Sequence, residues 1–543
     1  MKKRSKFAIV VILLAIAAIY YYVSIPAVNI HSAQTWFFVM TLFVVLIIYY
    51  AVRKRVTRVE LGTNKILRSM IGLLVVFGIV YLAGSVLSSP IINAKKYQKL
   101  MKVETGEFSK DVKELSYDRI PLLDKDTAAL LGDRKMGSMV DMVSQFEADD
   151  IYSQINYKNN PVRVTPLKYA NLIKWFTNRR EGIPAYIRIN MATQTTELVK
   201  LKEGIKYTTS ERHLRFAHPT YIYGELSFEI DEAGVPYWIA PVKKYNIGLF
   251  GGETVGKVVL CNAVTGETKT YDIKDVPSWV DRAYSADILV QLFDYYGTLK
   301  HGFLNSVLSQ KDCLETTDGY NYLALDDDVW MYTGVTSVNG DQSNVGFVLA
   351  NQRTMETKYY TVEGATEASA MSSAEGQVQN LKYEATFPLL LNISKEPTYF
   401  IALKDDAGLV KKYAMVNVHK YQIVAIGDSV SQCEENYRNL LGENGIKKAE
   451  KDTRDVKKIT GKITKIAQAV IDGTSHYYVM LEGSDDIFDT SVVDFIDIVK
   501  CEVGQTISLE YKEGDKANTV MSLKTETDKE SNTQDKDTEN INK

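Results

Sequence analysis

Histidine and cysteine are scarce in this chain, and neither is arranged for chemistry. The six histidines, His31, His213, His218, His301, His419 and His476, are scattered and form no H-E-x-x-H pattern, so a zinc hydrolase lacks its ligand pair. The four cysteines, Cys261, Cys313, Cys433 and Cys501, include no C-x-x-C pair, which removes the basis for a zinc-ribbon or redox-motif reading. Three disulfide pairings stay open to them in an oxidising compartment. A large domain does not need such staples, however, and buried free thiols are the favoured reading. A basic footprint is also missing: 64 Lys and Arg stand against 67 Asp and Glu, for a net charge of -3, and a nucleic-acid partner is excluded on that ground.

What the chain does have is three long apolar runs near its start, Phe7 to Val23, Trp36 to Val52 and Met70 to Leu87, each without a charge. Each is close to the roughly 20 residues that span a hydrocarbon core, and all three are expected to be transmembrane helices. Tyr20, Tyr21, Tyr22, Trp36, Tyr49 and Tyr50 stand at their ends, where amphipathic rings favour the headgroup zone. Lys2, Lys3, Arg4 and Lys6 precede the first run, and Arg53, Lys54, Arg55, Arg58, Lys65 and Arg68 join the second to the third. The Ser24 to Gln34 connection has no basic residue. Basic connections stay in the cytoplasm, so the amino terminus is predicted inside and everything from about Ser88 onward extracytoplasmic, in a multi-pass plasma-membrane protein. A cleavable signal peptide is disfavoured, since Val23 to Ile30 offers no clean small-x-small site and tyrosines close the first run.

The chain beyond is long enough for several domains. Its many Tyr, Val, Ile and Thr point to a strand-rich exterior. The expected organisation is three transmembrane helices over 1–90, a membrane-proximal stalk or small lobe over 91–165, an α+β region over 166–442, a linker over 443–458, a small barrel over 459–523, and a disordered polar tail over 524–543. Within 91–165, Ala128 to Phe146 shows helical spacing in Leu130, Leu131, Met139, Met142 and Val143. In the α+β region a phrase recurs: Gly182-Ile183-Pro184-Ala185-Tyr186-Ile187, Gly234-Val235-Pro236-Tyr237-Trp238-Ile239 and Lys395-Glu396-Pro397-Thr398-Tyr399-Phe400-Ile401. Proline suits the first residue of a strand and not a central position, so each phrase opens a strand. Polar turns follow at Ala192 to Thr196, Thr265 to Glu267 and Asp406 to Gly408, and then second strands, as hairpins require. Helical spacing in Leu167 to Thr177 and Ala365 to Leu381 makes the unit a helix followed by a hairpin. In the middle copy Leu226 to Ile230 adds a strand before the proline.

Phe228 to Ile230, Asp231 to Gly234, Tyr237 to Ile239 and Val258 to Glu267 together resemble a PepSY-type module, as does Ala370 to Val418 with its Tyr399 strand and Gly408 turn. The resemblance covers about a third of the chain, departs at the Lys244 to Gly256 insertion, and is partial in the first copy. It implies small helix-plus-antiparallel-sheet units, extracytoplasmic, with binding and regulatory roles toward peptidases or envelope proteins and no catalytic residue. The alternative is three unrelated hairpins within one larger α+β domain.

Three motifs invite enzymatic readings. Gly251-Gly252-Glu253-Thr254-Val255-Gly256-Lys257 has the spacing of a phosphate loop, but Val258 stands where a magnesium-binding hydroxyl belongs and Val258 to Cys261 reads as a strand. A glycine-rich hairpin is the better account. Gly427-Asp428-Ser429-Val430 looks like the nucleophile block of GDSL-type hydrolases, yet no Asp-x-x-His follows to activate the hydroxyl. Ser429 is expected to cap the helix Val430 to Leu441 instead, with Glu434 and Glu435 complementing its first turns. Asn339, Asp341 and Ser343, near Asp326, Asp327 and Asp328, alternate as calcium ligands do, but Gly346 and Ala350 depart from the calcium-loop pattern.

Trp279, Trp330, Tyr295, Tyr296 and Tyr332 suit a core better than a ligand groove. Ser285 to Tyr296 carries an apolar helical face with Asp287 and Asp294 opposite. Short strands bent at Gly473, Gly483 and Gly504 suggest an OB-like or SH3-like barrel.

No catalytic, cofactor-binding or metal residue is assigned. The function expected is a non-enzymatic, membrane-anchored binding, regulatory or scaffold protein of a bacterial cell envelope. Its partners are the lipid bilayer and an envelope protein such as a peptidase or wall-assembly enzyme. The alternatives are a subunit of a transport or secretion assembly, which the uncharged helices disfavour, and a hydrolase built on Ser429.

Overall fold

The computed structural model describes residues 2–54, 64–114, 120–208, 210–325, 327–337, 343–446, 456–471, 474–492, 495–512 and 517–525. Most of the basic connection (55–63), Asp326, Asn339, Asp341, residues 447–455 of the linker, Asp472, Gly473 and the tail beyond Thr525 lie outside the described residues. The chain divides into two compact units, 1–446 and 447–543.

The first unit opens with helices α1 (Lys2–Ser24), α2 (Ala33–Lys54) and α3 (Lys65–Leu87), which coincide with the three apolar runs. By length and composition α2 and α3 can each cross a membrane. Protein leaves them largely uncovered: no residue of α2 and only Leu67 of α3 is buried. They meet through aromatic rings, Trp36 against Phe77 at 5.7 Å and Phe37 against Tyr81 at 5.3 Å, while Tyr20 of α1 stacks on Phe38 at 4.8 Å. Asn64 starts α3 by accepting the N–H groups of Ile66 and Leu67, two donors a helix start otherwise leaves unpaired.

Beyond α3 come α4 (Pro90–Tyr97), β1 (Val103–Gly106) and the single turn α5 (Phe108–Asp111). Four antiparallel meanders follow. The first module has α6 (Lys125–Gly137), β2 (Phe146–Ala148), β3 (Ser153–Tyr157), β4 (Asn160–Tyr169), α7 (Leu172–Asn178), β5 (Ile183–Asn190) and β6 (Thr196–Ile205). The second has α8 (Ser210–Ala217), β7 (Ser227–Ile230), β8 (Pro236–Ile247), β9 (Gly251–Asn262) and β10 (Thr268–Asp272). The third has α9 (Ala286–Thr298), α10 (Phe303–Val307), β11 (Leu314–Thr316), β12 (Asn321–Leu325), β13 (Asp328–Ser337), β14 (Ser343–Asn344), β15 (Gly346–Asn351), β16 (Thr357–Tyr360) and β17 (Gly364–Ala365). The fourth has α11 (Glu367–Gln377), β18 (Glu384–Ala385), β19 (Leu389–Ile393), β20 (Glu396–Lys404), β21 (Val410–Asn417), β22 (Val424–Gly427) and α12 (Val430–Glu443).

Each sheet contains the same run of four strands in sequence order: β3-β4-β5-β6, β7-β8-β9-β10, β12-β13-β15-β16 and β19-β20-β21-β22. The modules pack face to face. One face of the second sheet (Phe228, Trp238, Ala240, Val259, Cys261) shares a core with the first sheet. Its other face (Ile239, Val258, Leu260) meets α9, which also meets Met331, Val335, Val348 and Ala350 of the third sheet. Tyr332, Phe347 and Leu349, on the opposite face of that sheet, join α11, α12 and the fourth sheet. Alternation along each central strand supplies two apolar faces, which is what an interior sheet needs.

The third-to-fourth strand turn is built alike in three modules. Asn190, Asn262 and Asn351 each donate their N–H to the carbonyl five residues on, at 2.8 to 2.9 Å. Each side-chain oxygen accepts the N–H groups two and three residues on. The fifth position, Gln194, Gly266 or Met355, takes a left-handed φ of 59 to 76°. Asn is suited to such turns because its short amide bonds its own backbone.

Several expectations shift. The helix read over Ala128 to Phe146 is α6 alone, capped by Asp124 on the N–H of Thr127. Met142 reaches the core from the turns that follow, so its periodicity only mimicked a longer helix. Leu167 belongs to β4, whose buried run extends from Pro161 to Leu167, and the helix begins at Leu172. A boundary at 165 would cut β4, and β1 pairs in parallel with β16 of the third module, so 91–165 supplies parts of the sheets. The proline matching Pro236 and Pro397 is Pro161, at the start of the second strand, whereas Pro184 sits in the third. Asp294 is not on an open face: it accepts the Thr316 N–H at 2.9 Å and is partly buried.

The second unit is a closed barrel of β23 (Lys457–Ile471), β24 (Thr474–Leu481), β25 (Phe488–Ser491), β26 (Thr506–Lys512) and β27 (Asn518–Thr525), in the order β23-β24-β25-β27-β26. Ile463, Val479, Phe488, Ile507 and Leu509 fill it. The short strand β25 pairs with β27 in parallel.

Candidate functional site

The most constructed junction in the first unit lies where the β8–β9 hairpin meets the ends of the apolar helices. This hairpin contains the Lys244 to Gly256 insertion, and its bend is Gly248-Leu249-Phe250. The Ser88 hydroxyl, just past α3, accepts the N–H groups of Leu249 at 2.7 Å and Phe250 at 3.1 Å while donating to the Gly84 carbonyl at 2.6 Å. The Ser88 carbonyl accepts the Tyr97 hydroxyl at 2.7 Å. On the opposite side of the bend the Leu249 carbonyl takes a hydrogen bond from the His31 ring at 2.7 Å, and His31 stacks on Tyr245 at 5.7 Å. Phe250 completes the fit against Tyr81 at 5.1 Å and Trp36 at 6.3 Å.

Glycine is required there. A Cβ on Gly251 would lie 2.2 Å from the Ser88 carbonyl oxygen and 2.4 Å from the Tyr97 hydroxyl, and Gly248 adopts φ 59°. The α1–α2 connection also binds the second module, with the Val28 N–H on the Pro219 carbonyl at 2.7 Å and the Asn29 amide on Thr220 at 2.9 Å. A cleft of about 360 Å³ opens beside this junction, with Ser32, Gln34, Arg215, Lys243 and Tyr245 in its wall. The Arg215 guanidinium lies over the Tyr223 ring at 5.1 Å, and burial lowers its pKa. The arrangement can transmit a displacement between helices and sheets, because bonds and rings fix the bend from several sides.

The described residues of the motifs with enzymatic readings occupy structural positions. Gly251 to Lys257 is the first half of β9, and Lys257 pairs with Asp272 at 2.8 Å on an exposed edge. Ser429 is the N-cap of α12, accepting the Gln432 N–H at 3.2 Å, with Ser431 as its other neighbour. Glu434 is buried and bonded to Arg438, a role beyond complementing the helix start. Asp328 holds Arg353 through two bonds of 2.7 and 2.8 Å, and Ser343 begins β14. Among the described residues no group of three or more His, Cys, Asp or Glu is placed to hold a metal ion. All four cysteines are free and buried. Tyr332 and Trp330 are buried, Trp279 packs on Tyr237 and Tyr295 on Tyr97.

Sequence reasoning missed three acids inside the stack. Glu229 is fully buried and accepts the N–H groups of Asp281 at 2.9 Å and Arg282 at 3.1 Å and the Ser227 hydroxyl at 2.9 Å. Asp281, equally buried, accepts the Asn156 N–H at 2.7 Å. Desolvation raises both pKa values, and for Asp281 the neighbouring Glu229 adds to it. Glu367 accepts from Thr317 at 3.0 Å and Asn344 at 3.3 Å, and burial raises its pKa too. The only legible signal was a charge at a strand position with apolar neighbours, as in Phe228-Glu229-Ile230.

In the barrel, His476 bonds Asp489 at 2.8 Å and faces Ser491 across the β24–β25 ladder. Among the described residues the Ser491 hydroxyl is buried without a hydrogen-bond partner.

No family model matches this chain, and no curated protein matches it.

Proposed function

We propose that the chain is a membrane-anchored, non-enzymatic binding or regulatory scaffold of a bacterial cell envelope. On this reading α1, α2 and α3 all cross the plasma membrane, the amino terminus and the basic 53–68 connection face the cytoplasm, and the sheets and barrel lie outside. The observation that carries it is the β8–β9 bend keyed to the ends of the apolar helices through Ser88, His31, Trp36 and Tyr81. A binding domain that reports to, or is held by, a membrane anchor needs such a fixed joint.

The repeated helix-and-meander modules are consistent with PepSY-like units acting by surface contact on a peptidase or wall-assembly enzyme. The barrel's order, first-second-third-fifth-fourth with a parallel closing pair, favours the OB-like arrangement, whose faces bind ligands. Ser429 acting as a helix cap weighs against a hydrolase.

Two measurements test this. Protease added to wall-stripped cells should remove the carboxy-terminal tail and spare the 53–68 connection; the reverse pattern inverts the orientation. Crosslinking in membranes followed by identification of co-purified proteins should return an envelope protease or wall-synthesis enzyme, and channel subunits would replace the scaffold reading with a transport one.

A further inference from the structure

Just past α3 the first unit carries an apolar shelf rimmed with positive charge. Helix α4 buries Ala94 and Tyr97 against Ile247 and Leu299, and Phe303 of α10 packs on the same cluster. The side chains on the other faces of the two helices are left outside. Leu308 is 78% exposed, Leu304 72%, Ile91 63%, Val307 58% and Ile92 54%. The chain turn after α10 is pinned, with the Asn305 amide bonded to the Lys311 carbonyl at 2.9 Å and the Ser309 hydroxyl to Asn305 at 2.6 Å, so the shelf is an ordered surface. Around it Lys95, Lys96, Lys99, Lys300 and Lys311 are all exposed. Asp312, which follows Lys311 in sequence, bonds His301 at 3.0 Å.

We propose that this shelf rests in the outer leaflet of the bilayer, Leu304, Leu308, Ile91 and Ile92 entering the headgroup–acyl boundary and the five lysines binding anionic headgroups. The inference rests on the reading that α3 crosses the membrane. A helix of 23 residues exceeds the roughly 20 that span the hydrocarbon core, so its Leu87 end lies at the interface. Ile91 follows after only Ser88, Ser89 and Pro90. An apolar face flanked by lysines is the composition of interfacial helices, which sink about 5–10 Å into that boundary. Charge selects this occupant over a second copy of the chain: a two-fold pairing of the shelf with itself would set lysine rims against each other, whereas an anionic leaflet complements both the rim and the apolar centre.

The test uses the full-length protein in nanodiscs of phosphatidylcholine with or without phosphatidylglycerol. Nitroxide labels go on Leu308→Cys in the shelf, Val75→Cys within α3 and Glu232→Cys at the β7–β8 turn, the buried native thiols of the unsubstituted protein giving the background. Collisions with oxygen and with a water-soluble nickel chelate report depth. The expected result is that the Leu308 label, like the Val75 label, meets oxygen severalfold more than nickel, and that the Glu232 label does the opposite. Phosphatidylglycerol should deepen the Leu308 position, and the combined Lys95→Gln, Lys96→Gln, Lys99→Gln and Lys300→Gln variant should lose that dependence. A nickel-accessible Leu308 beside an oxygen-accessible Val75 overturns the shelf and leaves the anchor standing. Nickel access at both overturns the anchor itself. Dipolar broadening between Leu308 labels would seat a second copy on the shelf and overturn the lipid occupant. Depth unchanged by phosphatidylglycerol would overturn the assignment of the lysines to anionic headgroups.

Discussion

The connection between second and third strands occupies the same place in the first and second modules and does opposite things. In the second module the bend Gly248-Leu249-Phe250 is gripped by Ser88, His31 and two aromatic rings. In the first it is α7, whose Leu172, Ile173 and Phe176 are exposed and whose Arg179 lies over the Trp175 and Phe176 rings. At the opposite end of the same sheets the Asn190, Asn262 and Asn351 turns are copies of one another. One end of each module therefore keeps the meander in register, and the other end is free to differ.

The sharpest way to break this contrast is Gly251→Ala. Its methyl would meet Ser88 and Tyr97 with no room to yield, and the expected cost is about 3 kcal/mol, seen as accelerated hydrogen exchange in both β8–β9 and α4. Unchanged exchange in α4 would mean the bend is not gripped. The next effect concerns α9, the helix two modules share, and has a pH sign. Burial pushes the Asp294 pKa up to about 6 from 3.8. The folded state then holds a proton that the unfolded chain has released, so stability falls as pH rises from about 3.8 to 6 and is flat above. Asp294→Asn keeps an acceptor for Thr316 and should melt later at pH 7.5, by roughly 2 kcal/mol, with the gain absent at pH 3.5. A pH-independent difference would reject the buried-acid explanation.

Asn262→Ala and Asn351→Ala should each cost about 1–2 kcal/mol through two backbone N–H groups left without the amide oxygen. The comparison predicts similar losses at the two sites, and widely unequal losses in thermal melts would deny that the turns are equivalent. Ser429→Ala should cost about 1 kcal/mol, with Ser429→Asp restoring most of it; labelling of the parent protein by a serine-reactive phosphonate would reinstate the hydrolase. Phe176→Ser, on the exposed connection, should change stability by less than about 0.5 kcal/mol. A large loss there would erase the difference between the two connections.

Much of this architecture was legible in order and little of it in register. The apolar runs, the hairpins at Ala192, Thr265 and Asp406, the cap at Ser429 and a terminal barrel all follow from local chemistry. The third module escaped because its second strand opens on Asp328-Val329 without a proline and the link to its third strand is long. The N-x-x-T phrase of Asn190, Asn262 and Asn351 was the better repeat marker, since it encodes a turn in side-chain bonds, whereas proline only permits a strand to start. The joint at Ser88 was not readable: its partners lie about 160 residues away in sequence, and nothing local distinguishes that serine from Ser89. The buried acids were hidden for the same reason, most of their donors lying 23 to 125 residues away in sequence.

The short strand β1 has a consequence for how the protein is made. Val103–Gly106 pairs with Thr357–Tyr360, and the segment just after it binds the fourth module, where the Asn392 amide meets the Val112 carbonyl at 2.6 Å and Lys404 meets Asp124 at 2.5 Å. At about 5–20 residues per second of synthesis, the roughly 250 residues between β1 and its partner take roughly 13 to 50 s to emerge. During that interval the first two modules can close while β1 waits. A nascent chain stalled before Tyr360 would therefore present an unpaired strand edge, the stage at which a chaperone has most to protect.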